Sequence, residues 1–144
     1  MSPVKMIFLV YFLMFSLFVS LDIGTAYAGS EIAKRSLGKS IISGIIASTD
    51  ESSYVMGKTL LKPDQLESNA RRFLISNMKL DSNLSNRVFK DGHLEVRLQY
   101  RSDGAPRVVA VYRAKIAMVS GRIIGLTDYP IEIVKQTPYY AEYK

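Results

Sequence analysis

Residues 6–21, MIFLVYFLMFSLFVSL, carry no charge, no proline and no glycine. With the weakly polar DIGTAYAG that follows, residues 3–28 form a helix long enough to cross a hydrocarbon core, which takes about 20 residues. The apolar positions do not stop there. Ile32, Ala33, Leu37, Ile41, Ile42, Ile45 and Ile46 recur at helical spacing and predict one helix over residues 3–48, about 65 to 70 Å long, apolar all round at first and amphipathic later. Along it Gly24, Gly29, Gly38 and Gly44, with Ala26, Ala28 and Ala33, mark either surfaces where another helix can lie close or local weak points.

A polar stretch with a glycine follows, so the chain divides into a helix over residues 1–48, a linker over 49–62 and a small domain over 63–144. Pro63 and Asp64 open a second helix, with Asp64 and Glu67 placed to suit its dipole. Leu66, Ala70, Phe73, Leu74 and Met78 repeat at helical spacing to about residue 80 and predict one buried face, with Arg71 and Arg72 solvated. DSNLSN is a loop. Leu94, Val96, Leu98 and Tyr100 alternate with Glu95, Arg97 and Gln99, the period of a half-buried strand. After a turn at residues 102–106, Val108, Ala110, Tyr112, Ala114, Ile116 and Met118 share the apolar face of the next strand. Gly121 and Gly125 bound a short return over 122–126, and a last strand over 129–136 turns Ile131 and Ile133 inward around Glu132. The expected fold class is α+β: a long N-terminal helix, then a small antiparallel sheet with one packed helix. Tyr139, Tyr140 and Tyr143 with Pro138 form a tail suited to packing on that sheet.

Charge and composition change this picture little. The chain of 144 residues has a net charge of +6, but after residue 48 the 15 basic and 11 acidic residues are interspersed. Arg97, Arg101, Arg107, Arg113 and Lys115 come nearest to a basic patch, spread over two strands, and nucleic acid is not an expected partner. The chain has no cysteine, which excludes thiol catalysis and Cys-ligated metal centres. The single histidine, His93, follows Asp91-Gly92 in an expected hairpin turn and has no second imidazole to share a metal with. Gly38-Lys39-Ser40 lacks the upstream glycine of a phosphate loop, and Gly121/Gly125 has no strand-to-helix context for one. Asp50 and Glu51 are solvated linker acids. No nucleophile, base and orienting group fall together, so the chain is not expected to be an enzyme; no catalytic, cofactor-binding or metal-ligating residues, no cofactor and no small-molecule substrate are assigned.

The opening segment has two fates. Lys5, the apolar run and Ala26-Tyr27-Ala28 before Gly29 match an export signal cut after Ala28, which would release a secreted or periplasmic binding module. Against this, the amphipathic stripe continues well past residue 28, as a retained anchor in the lipid bilayer would have it. Only Lys5 and the amino terminus precede the run, while Lys34, Arg35 and Lys39 follow it, a bias that favours a cytoplasmic C-terminal domain. Asp22, at the end of the run, is either interfacial without a partner or buried against a neighbouring subunit's cation.

The junction Asp22-Ile23-Gly24 with Tyr27, followed by Ala33, Leu37, Ile41 and Ile45, resembles the N-terminal segment of TadE-like proteins, the minor pilin-like components of Tad/Flp pilus systems. The later segments LEVRLQY, VVAVYRAKIAM and YPIEIVKQ are similar to that family's closing antiparallel strands. The resemblance implies a non-catalytic, single-pass membrane component of pilus or secretion-system assembly. It also implies an extracytoplasmic C-terminal domain and other pilus or secretion-system subunits as partners through the N-terminal helix. Asp22, Gly24 and Tyr27 are the corresponding subunit-packing candidates. MSPVKMIFLV lacks the glycine and the fifth-position glutamate of a pilin leader, so prepilin peptidase processing is not expected.

Overall fold

The computed structural model describes residues 2–49 and 61–139. Most of the expected linker, with Asp50 and Glu51, and the tail residues Tyr140 and Tyr143 lie outside the described residues. Helix α1, Pro3–Ser48, is a single α-helix of 46 residues that begins on Pro3 and closes where the Thr49 hydroxyl donates to the Ile45 carbonyl at 2.8 Å. Helix α2, Pro63–Met78, starts with its proline in the first turn and Asp64 beside it. It buries Leu66, Ala70, Leu74 and Met78, four residues apart each time, while Phe73 is half-buried. Its end is set by Lys79 in the left-handed region, after which the Leu80 amide donates to the Ile75 carbonyl.

Strands β1, Phe89–Tyr100, β2, Pro106–Ala117, and β3, Asp128–Gln136, form an antiparallel sheet in the order β1-β2-β3. The register sets Leu94 opposite Tyr112, and Ile133 opposite the same Tyr112 on the other side. One face therefore stacks Leu94, Val108, Ala110, Tyr112, Ala114, Ile116 and Ile131 against the helices. The other face mixes Glu95, Arg97, Arg113 and Glu132 with Val109, Val111 and Val134. The α+β architecture expected from the sequence is the one observed.

The core joins both ends of the chain. Ala33, Leu37, Ile41 and Ile45 of α1 pack in one cluster with Leu66 and Leu74 of α2 and the inner face of the sheet, so residues 29–48 belong to the domain as much as the strands do. Ile32, Ile42 and Ile46, expected on the same stripe, are exposed. The reason is α2. It lies along Ser36, Ser40, Gly44 and Ser48, all buried, and a side chain at Gly44 would come within 3.1 Å of the Ala70 amide nitrogen. Close approach of backbones over small residues rotates the buried face away from the outer isoleucines. Asn77 and Asn69 of α2 donate to the Ser40 and Ser48 hydroxyls at 3.0 and 3.1 Å, so these buried hydroxyls are partnered.

The short return between β2 and β3 is a 3₁₀ turn, Ser120–Ile124, closed by the Leu126 amide on the Gly121 carbonyl and by Gly125 at φ 81°. One local expectation is corrected. His93 is not in a turn but within β1, directly after a bulge between Lys90 and His93. Gly92 in that bulge lies so close to Leu84 that a Cβ would fall 1.9 Å from its carbonyl oxygen.

Candidate functional site

The side chains of residues 3–18 are exposed, from Val4 to Phe18. At 1.5 Å per residue, residues 3–21 measure about 28 Å, close to the ~30 Å of a bilayer's hydrocarbon core. Helix α1 is thus long and apolar enough to cross a membrane and stands near the N-terminus, as an anchor or a signal sequence does. The next residue differs sharply from those before it. Asp22 is only 4% exposed, and from there on the domain lies against one side of the helix.

What covers Asp22 is the chain's own loop after β2. The Val119 amide donates to one carboxylate oxygen at 2.8 Å and the Ser120 amide to the other at 2.7 Å. The Ser120 hydroxyl donates to that second oxygen as well. A carboxylate removed from water needs such charge-assisted bonds to stay ionised at modest cost. Two backbone amides and one hydroxyl thus partner the buried carboxylate within the chain.

Asp22 is therefore not without a partner: it is buried and its carboxylate accepts three hydrogen bonds from within the chain. Gly24 and Tyr27 differ from it. Tyr27 is 72% exposed, and a side chain at Gly24 would meet nothing within 4 Å. The three candidates thus divide into one internal clasp and two outward positions. Beside them Ile23, Ala26, Tyr27, Ser30, Met118 and Tyr129 line an open apolar groove of about 330 Å³. Ser120, which completes the clasp through its amide and its hydroxyl, carries no sequence signal, because a single serine 98 residues from Asp22 belongs to no pattern.

The five basic residues singled out in the sequence, Arg97, Arg101, Arg107, Arg113 and Lys115, are engaged. Arg113 pairs with Glu132 at 2.7 Å and Lys115 with Asp91 at 3.2 Å; Arg97 pairs with Glu95 and Arg101 with Asp103. Arg107 bonds Gln99 at 2.8 Å and lies 4.8 Å over the Tyr139 ring. Side chains so paired form a mixed surface rather than an open anion-binding stripe. His93 is exposed, and among the described residues no group of three His, Asp or Glu side chains is placed to share a metal ion. No family model, curated protein or solved structure matches the chain.

Proposed function

We propose that this chain is a non-catalytic, single-pass membrane component of an envelope assembly, of the TadE-like minor pilin kind, displaying its α+β domain outside the cytoplasm. The observation that carries the anchoring part is the continuity of α1: its uncovered apolar end runs without a break into the domain core, past the Asp22 clasp. Removal of residues 1–28 would cut the helix mid-turn between exposed Ala28 and buried Gly29 and strip the clasp from its loop. A retained segment has a structural use on both sides of that bond, which weighs against the released binding module. The assembly role and the outward orientation rest on the resemblance of the Asp22-Ile23-Gly24 junction and the closing strands, and the orientation runs against the charge bias of Lys34, Arg35 and Lys39.

Two measurements test this. Sequencing the N-terminus of the protein from the membrane fraction is expected to show residues 1–28 still attached; a soluble product starting at Gly29 would overturn the anchor. Deleting the gene is expected to abolish surface filaments or secretion, with recovery on complementation, and unaltered filaments and secretion would refute the assembly role.

A further inference from the structure

The loop held by Asp22 is unusually apolar for something facing water. Val119, Ile123, Ile124 and Leu126 are 66%, 69%, 62% and 62% exposed, four large aliphatic side chains within eight residues. Their position follows from the contacts along α1. Gly29 meets Ile116 near the end of β2, and Asp22 meets Val119 and Ser120. Between those two levels the chain climbs seven residues of helix, about 10 Å, toward the apolar run. Met118 bonds Thr127 across the neck of the loop, leaving residues 119–126 at the end of the domain nearest residue 21. Tyr27 and Tyr129, both exposed, flank the groove just behind it, and tyrosines with one apolar and one polar end favour the boundary between lipid and water.

Resting on the anchored reading above, we infer that residues 119–126 form a second membrane contact: Ile123, Ile124 and Leu126 enter the interfacial layer of the same bilayer that α1 crosses. Arg122, exposed among them, stands at the level of anionic headgroups. The occupant is lipid because the patch is continuous with the lipid-facing run of α1 through the Asp22 clasp. The loop fixes the domain at the membrane surface by a second point beside the helix.

The chain contains no cysteine, so single labels report cleanly. Full-length Ile123→Cys, Ile124→Cys, Leu13→Cys and Ser102→Cys proteins, each carrying an NBD fluorophore, are reconstituted in phosphatidylcholine/phosphatidylglycerol vesicles with and without doxyl-labelled lipid. Ser102 sits in the β1–β2 turn, at the opposite end of β2. The expected result is blue-shifted emission at positions 123 and 124 that is lost to doxyl lipid, weaker quenching than at position 13, and neither effect at position 102. Quenching at 13 with water-like emission at 123 and 124 would overturn the loop contact and leave the anchor standing. No quenching at 13 would overturn both. A blue shift at 123 and 124 that follows protein concentration and ignores doxyl lipid would identify a second copy as the occupant and refute lipid.

Discussion

Ser120 lies 98 residues after Asp22 in the chain and donates to it twice, through its amide at 2.7 Å and through its hydroxyl. With the Val119 amide, this ties α1 to the loop after β2. In Asp22→Asn an amide nitrogen replaces one acceptor and faces a donor. The expected outcome is faster hydrogen exchange at Val119, Ser120 and Gly121 in detergent micelles, with protection in β1 and β2 retained. Unchanged exchange across the loop would show that the clasp does not hold it.

Tyr112 is fully buried, packs edge to face on Phe89 with centroids 6.3 Å apart, and donates its hydroxyl to the Leu84 carbonyl at 3.0 Å. Tyr112→Phe leaves that carbonyl without its donor and is expected to cost about 1–2 kcal/mol in chemical unfolding. Burial pushes the phenol from 10.0 up to about 12. Its contribution is present below the unfolded value and is lost as pH rises through the folded one, so an alkaline absorbance titration should show a late tyrosine that disappears in the variant.

Glycines 44 and 24 predict opposite results on one helix. A side chain at Gly44 meets the Ala70 backbone, so Gly44→Leu must push α2 away and is expected to destabilise by about 1–3 kcal/mol. Gly24 has open space around it, and Gly24→Ala should be neutral or stabilising by up to about 1 kcal/mol through helix propensity. Thermal unfolding of the two variants in the same micelles compares them.

At Gly121 a Cβ would fall 1.8 Å from the Leu126 carbonyl oxygen. Gly121→Ala is therefore expected to open the 3₁₀ turn while leaving the sheet intact, seen as lost protection at Ser120 and Leu126 alone.

Periodicity carried most of the fold. The four-residue spacing of Leu66, Ala70, Leu74 and Met78 and the alternation from Val108 to Ile116 each state one buried face, and those faces are the ones packed. Other features had no such signature. Ile42 and Ile46 look like core positions until α2 is known to lie on the serines and Gly44, since the orientation of a helix with isoleucines on two sides is decided by its neighbour. Asp91-Gly92 reads as a turn, yet the same residues make a bulge when Leu84 presses against them. Asp22 was visible as an odd acid, but its partners are two backbone amides, which any residue supplies, and one serine hydroxyl in a loop 98 residues away.

The unbroken course of α1 has a mechanical consequence. With 46 residues at 1.5 Å rise it is a rod of about 69 Å, and beyond Pro3 no proline or unwound turn interrupts it. On the anchored reading, any change of tilt of residues 3–21 in lipid turns the folded half through the same angle, with its outer tip swinging farthest, so the domain would be the far arm of a lever.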